Sequence, residues 1–530
     1  MINTLRRSVR AVFDGGEALL AKVFPSQWNP LLNLSALSFL FYWVITASGI
    51  YLYIFFDTGV EQAYRSVEYI TQEQWYAAGI MRSMHRYASD GLVLTMLLHV
   101  LREFGLDRYR GVRWFSWVTG IPVAMLVFVA GISGYWLVWD KLAQYVAIVS
   151  TEWLDQLRIF GAPIARNFLS PEMLDSRFFT LMMFIHIAVP LIALLILWLH
   201  LQRIAKPRIN PPRGLAFGTF ASLLVLCLVH PAVSQGPANL SEVPSPVGLD
   251  WFYLPAFPLL ETMPGPVTWG AAAAILIMVV ALPWLPPLRK PKAAVVDPAN
   301  CNGCRRCYND CPYTAIAMGQ RSDDMPFAAQ AVVDPSLCVA CGICAGACPR
   351  ATPFRKRTEL RPGIDLPELT TAGVRSAVER AAATLQGKGR IIVFGCTSGV
   401  PLDGLPPGTA ASVPLNCIGQ LAPSFIDYVL SMGLADGVVL TGCTECGCRA
   451  RFGIEWTERR LARERHPYLR NGVPLERTRT AWVGRRGRKK LLALIGRFSD
   501  ELAAMPPSEP AYEPIRRPPR TVQEKDTVDA

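Results

Sequence analysis

His85 and His99 stand fourteen positions apart, and so do His186 and His200. Fourteen residues make about 3.9 helical turns, so each pair leaves its helix on one face, at two levels about 21 Å apart. All four histidines lie in apolar stretches. Such a step nearly crosses the roughly 30 Å hydrocarbon core of a bilayer. Two imidazoles facing each other between helices can supply both axial ligands of a haem iron. The spacing therefore predicts two haem groups, an outer one held by His85 and His186 and an inner one held by His99 and His200. A lone intramembrane histidine is as often a satisfied polar residue, but two pairs at identical spacing are hard to explain that way. Small residues repeat the same period: Ser35 and Gly49 in one run, Gly120 and Gly134 in another. At the two haem levels they would let a flat macrocycle lie against backbone. Arg82 and Arg102 sit three residues from His85 and His99, where they are expected to pair with haem propionates at the two water interfaces.

The second set of chemistry-bearing residues is cysteine. Of 14 cysteines, all but Cys227 fall between Cys301 and Cys448. Cys227 reads as packing. Tight runs argue against a secreted disulfide scaffold and for metal or iron–sulfur ligation in a reducing compartment. Cys301, Cys304, Cys307 and Cys311-Pro312 follow the C-x2-C-x2-C-x3-C-P spacing, and Cys338, Cys341, Cys344 and Cys348-Pro349 repeat it. In such a run three thiolates grip one [4Fe–4S] cube and the fourth crosses to the other cluster. One cluster is thus assigned Cys301, Cys304, Cys307 and Cys348, and the other Cys338, Cys341, Cys344 and Cys311. Two full runs in a repeat argue against zinc. The remaining cysteines are Cys396, Cys417, Cys443, Cys446 and Cys448. The first three follow predicted strands, and strand ends of an open α/β sheet gather at one crevice. An iron–sulfur centre would continue the redox chain there; structural zinc and a redox-active thiol pair are the alternatives.

These residues need elements to position them. The chain has 530 residues, 51% hydrophobic and only 18% charged, with a net charge of +12. That balance excludes a mainly disordered chain and points to a membrane part joined to a soluble part. Six stretches are candidates to span a bilayer: 36–56, 78–101, 114–138, 178–201, 214–231 and 266–287. Arg6, Arg7, Arg10 and Lys22 precede the first. Arg102, Arg108, Arg110 and Arg113 join the second and third, and Arg203, Lys206, Arg208 and Arg213 the fourth and fifth. The opposite loops spread Arg65, Lys141, Arg158, Arg166 and Arg177 over longer stretches, and loop 235–264 has no Lys or Arg. By the positive-inside rule the N-terminus is cytoplasmic, and six spans return the chain there, before Arg289, Lys290 and Lys292. The basic excess is read this way rather than as a nucleic-acid patch. No signal peptide is evident in residues 1–24; they read as a basic amphipathic helix on the membrane surface, with a frayed polar terminus as the alternative.

A linker at 284–300 leads to a repeat. Ala294 to Pro298 and Ala331 to Pro335 share the sequence AVVDP, 37 residues apart, and each copy reads as a short strand entering a cysteine loop. From about 388 the pattern is α/β, with strands at 390–394, 413–415, 437–440 and 480–483. Arg449 to Lys490 is very basic, a solvated face or a docking surface for an acidic partner or lipid. The tail from Pro506 reads as disordered.

Three resemblances follow. The segment 78–213 resembles cytochrome b of the quinol–cytochrome c and plastoquinol oxidoreductases. Arg82, His85 and Arg86, with His99 and Arg102, match its second helix. Gly134 to Lys141 is similar to its Gly-Tyr-x-Leu-Pro-Trp-x-Gln stretch, with Val138 and Lys141 as departures. Leu249-Asp250-Trp251-Phe252 resembles the Pro-Glu-Trp-Tyr loop that lines the outer quinol pocket. This implies a quinone partner and Asp250 as quinol proton acceptor, on a carboxylate one methylene shorter. The family's last two helices are missing. His230 is either a second proton acceptor or an ordinary interfacial histidine. The cysteine repeat resembles bacterial two-cluster ferredoxins. Residues 388–490 look like the delta subunit of methyl-viologen-reducing hydrogenase, through Phe394-Gly395-Cys396, Asn416-Cys417-Ile418-Gly419 and Asp436 to Cys448. That resemblance implies one [2Fe–2S] cluster on Cys396, Cys417, Cys443 and Cys448, with Cys446 as a substitute ligand. Gly399 stands where the family has a further cysteine.

The expected protein is therefore multi-domain. An all-α transmembrane bundle of six spans (36–288), preceded by an interfacial helix (1–35), is joined to an α+β ferredoxin domain (293–352), an α/β iron–sulfur domain (388–490) and a disordered tail (506–530). The expected function is electron transfer between a cytoplasmic flavoprotein or dehydrogenase subunit and the membrane quinone pool. The chain would be a subunit of a quinone-linked oxidoreductase in the inner (cytoplasmic) membrane, multi-pass, with its N-terminus and iron–sulfur domains cytoplasmic and with no nucleic-acid partner. A homodimer is one option for its assembly. The alternative is a conduit and anchor subunit without a quinone site of its own, and a third reading is a redox sensor.

Overall fold

Apolar runs bounded by arginine and proline become helices in the computed structural model. It describes residues 2–159, 163–164, 169, 174–202, 204, 206–285, 291–356, 360–444 and 447–506. Cys446, Arg166, Arg203, Arg289, Lys290 and the tail from 507 lie outside these. The chain divides into two compact units, Met1–Lys290 and Pro291–Ala530.

The first unit is helical. Its principal helices are α1 (Ile2–Leu20), α2 (Leu34–Tyr53), α3 (Ile80–Gly105), α4 (Trp114–Val138), α5 (Lys141–Asp155), α6 (Ser176–Leu201), α7 (Arg213–Val229) and α8 (Gly265–Ala281). Among the described residues four segments are long and apolar enough to cross a membrane: Leu34–Tyr53, Gly111–Val138, Ser176–Leu201 and Gly265–Trp284. The two other expected spans do form helices, but α7 has 17 residues and α3 carries Arg82, Arg86, Asp90, Arg102 and Glu103. The outward faces show Trp43, Ile50, Leu97, Phe184, Leu195, Phe217 and Ile277, a surface that lipid rather than water would cover. One apolar core joins α3, α4, α5 and α6 to Tyr253, Leu254 and Phe257.

Helix α5 fills part of the stretch that the sequence leaves as a loop between two spans. Its signal is Asp140, whose side chain accepts from Ala143 N at 2.9 Å as N-cap, ahead of the buried Leu142, Val146 and Val149. Asp140 also accepts from Gln235 N at 2.9 Å, and Gln144 Nε2 donates to Asn239 O at 2.8 Å, so the 235–242 loop is stitched onto this helix. The Trp153 and Trp269 rings stack at 3.7 Å and 2°, which fastens α8 to α5. Helix α1 packs its Val9 and Arg10 against Gly105, and Arg102 pairs with Glu17 at 2.8 Å. Leu5, Val12 and Leu19 on the same helix stay exposed.

In the second unit the repeat folds as two interlocked halves. Strand β1 (Val295–Val296) pairs antiparallel with β4 (Ile364–Asp365), and β2 (Ile316–Gly319) with β3 (Gln330–Val333). The strand entering each cysteine loop thus pairs with the strand leaving the other. Short helices α9 (Arg306–Asp310) and α10 (Ile343–Ala347) carry the loops onward. Gly342 opens α10 at φ 80 with Gln420 against it, whereas its repeat equivalent, Arg305, holds φ 62 in the open.

A four-stranded parallel sheet follows, in the order β6-β5-β7-β8, from β5 (Ile391–Cys396), β6 (Ala410–Leu415), β7 (Gly437–Thr441) and β8 (Thr478–Ala481). The last strand lies two residues earlier than its expected 480–483. Alternation along β5 and β7 sends Ile392, Phe394, Val438 and Leu440 to one face, against α11 (Thr371–Ala382) and α12 (Ser424–Ser431). Ile391, Val393 and Val439 face α14 (Arg488–Ala504) on the other. The sheet's packing therefore runs past residue 490. Between them, α13 (Gly453–Leu461) follows the cysteine loop of β7. The first of these cores continues unbroken into the cysteine repeat.

Candidate redox sites

The His85 and His186 rings face each other with centroids 6.1 Å apart. An imidazole bonds a metal at about 2.0 Å and its ring centre lies about 1.1 Å beyond the nitrogen, so two on one iron stand about 6.2 Å apart. The observed spacing fits one iron between them. His85 Nδ1 lies 3.0 Å from Ile45 O and 3.2 Å from Ser48 Oγ. His186 Nδ1 lies 3.0 Å from Ala130 O and 3.2 Å from Ser133 Oγ. A carbonyl partner puts the proton on Nδ1 and leaves Nε2 with its lone pair free for a metal. His200 Nδ1 lies 3.2 Å from Thr119 Oγ1. His99 and His200 continue the two helix faces fourteen residues on.

Three of the small residues lie directly against the histidine rings. A Cβ on Gly49, Gly134 or Gly120 would stand 3.0 Å from His85 Cε1, 2.9 Å from His186 Cε1 or 3.3 Å from His200 Cε1. Each of these three glycines leaves room for an imidazole edge. Each glycine follows a hydroxyl residue that touches the same ring: Ser48, Ser133 and Thr119. The period of the glycines does not point to these hydroxyls; their only signal in the sequence is the recurring Ser-Gly or Thr-Gly pair. Ser35, the fourth member of the series, is exposed. Arg82 pairs with Glu68 at 3.8 Å and donates to Ser234 Oγ at 2.9 Å, and Arg102 is held by Glu17. Both guanidiniums thus already have carboxylate partners.

Asp250 lies in a buried polar knot, with its side chain only 3% exposed. Arg86 Nη2 donates to its Oδ2 at 2.6 Å, the Tyr135 hydroxyl donates to the same oxygen, and Phe252 N donates to Oδ1 at 2.7 Å. Arg86 also pairs with Asp90, so one guanidinium serves two carboxylates. Gly131 opens the space for the Tyr253 ring, whose hydroxyl accepts from Ser89 Oγ at 2.7 Å. His230 sits at the end of α7, its Nδ1 2.8 Å from the exposed Tyr87 hydroxyl.

In the second unit two small cavities lie in the repeat. The first is lined by Cys301, Cys304, Cys307 and Cys348, the second by Cys311, Cys338, Cys341 and Cys344. Each quartet takes its fourth member from the other run, as the interlocked strand pairing requires. Burial pushes the Cys307 and Cys341 thiols up to about 12. Such thiols stay protonated at neutral pH unless positive metal charge holds them as thiolates.

Cys396, Cys417, Cys443 and Cys448 are all buried and converge at the carboxyl ends of β5, β6 and β7. Cys396 Sγ lies 3.6 Å from Cys443 Sγ, and Cys448 reaches both Cys443 and Cys417. Among the described residues no three His, Cys, Asp or Glu side chains close on a point as ligands of a single ion would. A Cβ on Gly399 would stand 2.6 Å from the backbone of Gly442, so this backbone has no room for a cysteine there.

Three family models match the chain. Cytochrome b/b6/petB matches residues 19–207, a 4Fe-4S dicluster domain matches 300–352, and the methyl-viologen-reducing hydrogenase delta subunit matches 404–506. Among solved structures, a chain of "Hyperthermophilic respiratory Complex III" aligns at 19% identity and TM-score 0.40, covering 48% of this chain and 75% of that one. The cytochrome b match implies haem b and the dicluster match implies iron–sulfur clusters. With its apolar helices, the chain is a membrane electron-transfer protein.

Proposed function

We propose that this chain carries electrons between a cytoplasmic redox partner and membrane quinone, through two [4Fe–4S] clusters, one [2Fe–2S] cluster and two b-type haems. The observation that carries the reading is the His85–His186 pair, 6.1 Å apart with a carbonyl against each Nδ1. His99 and His200 repeat it for a second haem, and six helices cross the inner membrane with the iron–sulfur unit in the cytoplasm. The cysteine quartets hold the clusters. When bound, these groups supply one-electron redox chemistry that no side chain here could perform. The chain's own residues fix the ligands, exclude water and place a carboxylate, Asp250, with the Tyr135 hydroxyl at the outer end of the bundle for the quinol proton.

The test is haem content. His186→Ala and His200→Ala should each lower the pyridine haemochrome by about half, since each leaves one iron a single axial ligand. A full haem complement in either variant would refute the pairing. A second reading draws on one observation: Asp250 is buried and already paired with Arg86. In that case the chain wires and anchors its partners without a quinone site of its own. Quinone reduction by the isolated chain, sensitive to Asp250→Asn, separates the two.

A further inference from the structure

We infer that Arg460 is a positioning residue shared by two iron–sulfur sites: it clamps the loop of Cys311 to the loop of Cys417 and holds a buried positive charge beside both. The inference rests on the cysteine assignments proposed above. Arg460 is fully buried, among the largest such side chains in the protein. Its Nη2 donates to Asp310 Oδ2 at 2.6 Å and its Nη1 to Gly419 O at 2.9 Å. Asp310 immediately precedes Cys311, and Gly419 follows Cys417 by two. One guanidinium on α13 thus touches a ligand loop of the ferredoxin-like half and one of the sheet.

Charge makes this more than a structural tie. Arg465 Nε also donates to Asp310, at 2.8 Å, and stacks over the Trp456 ring at 3.6 Å. Two guanidiniums therefore share one carboxylate, and one positive charge is left over. Burying a cation is costly unless other groups compensate it. Thiolate-ligated clusters on either side would do so. The repeat provides an internal comparison. The residue equivalent to Asp310, 37 positions on, is Ala347, buried and apolar. The fold of a cysteine run does not need a carboxylate there; the arginines do. The two halves also meet without intervening side chains. A Cβ on Gly346 would fall 2.2 Å from Gly419 O, and Cys341 packs on the cluster of Cys417 and Trp456.

Reduction of either centre adds one electron, taken here from dithionite, and neither makes nor breaks a bond. A fixed cation nearby stabilises the reduced form, most effectively where water is excluded. Redox titrations of the full chain, followed by EPR, test this. Arg460→Gln should lower the midpoints of the [2Fe–2S] centre and of one [4Fe–4S] centre, leaving the other [4Fe–4S] and the haems unmoved. Asp310→Asn should raise the same two midpoints, and Arg460→Lys should sit near the native values. A merely structural role would shift both charge variants in one direction, or all clusters alike, and either result overturns the inference. Should Arg460→Gln lose iron, the opposed shifts of Asp310→Asn and the rescue by Arg460→Lys still decide it. If the native chain lacks these three cluster signals, the cysteine assignments fail first; if it has them and no midpoint moves, only the role of Arg460 fails.

Discussion

At the residue scale, the histidine rings are seated by what is missing beside them. Gly134 leaves room for the His186 edge, and Ser133 next to it holds Nδ1. Gly134→Val should push the ring off its axis and lower bound haem b toward half, measured as haemochrome per protein. Gly270 on α8 has nothing within 4 Å of its would-be Cβ, so Gly270→Val should keep the full complement. Equal loss in both would mean that the effect is general to glycine in these helices. The same scale governs the sheet cysteines. Cys443 lies against Cys396, so Cys443→Ser should abolish the [2Fe–2S] EPR signal. Cys446→Ala should retain it if Cys446 is a bystander, and the reverse pattern would exchange their roles.

At the scale of elements, Asp140 and the crossed strands each hold two segments in register. Asp140 caps α5 with one oxygen and anchors Gln235 with the other. Losing a cap and a buried hydrogen bond costs about 1–3 kcal/mol. Asp140→Ala should therefore lower the melting midpoint and speed proteolysis of the 235–250 loop, while the haem spectrum survives because no histidine rests on that loop. In the repeat, β1 pairs with β4 and β2 with β3, so each cavity is built from both halves yet uses a separate quartet of thiols. Cys304→Ser should remove or convert one [4Fe–4S] cluster and leave the other. Retention of eight irons with an unchanged EPR signal would contradict the assignment.

At the scale of the molecule, a quinone pocket near Asp250 and iron–sulfur clusters on the opposite membrane side would force electrons across the bilayer. Moving one charge across 100 mV corresponds to about 2.3 kcal/mol. An inside-negative potential should therefore hinder electrons moving inward from quinol and favour electrons moving outward to quinone. Proteoliposomes with a cluster-side donor and an imposed potential measure this. A rate and equilibrium indifferent to the potential would move the quinone site to the inner haem. Asp250→Asn should slow quinone turnover while cluster reduction by the donor stays normal.

The sequence alone determined what local geometry encodes. A fourteen-residue period sets the histidine levels because helix pitch is a property of neighbouring residues, and the cysteine runs are legible because three ligands of a cluster come from one short loop. The tertiary structure decided the rest. Ser48, Ser133 and Thr119 meet histidines 37 to 81 positions away, and Arg460 meets Asp310 150 positions away. Cys396, Cys417 and Cys443 converge because parallel strands bring their carboxyl ends to one edge, whatever their separation in sequence. Asp250, which the resemblance marks as a quinol proton acceptor, is bound by Arg86 and Tyr135 from two helices. A buried polar group takes its partner from whichever element packs beside it, and periodicity along one chain segment carries no record of that.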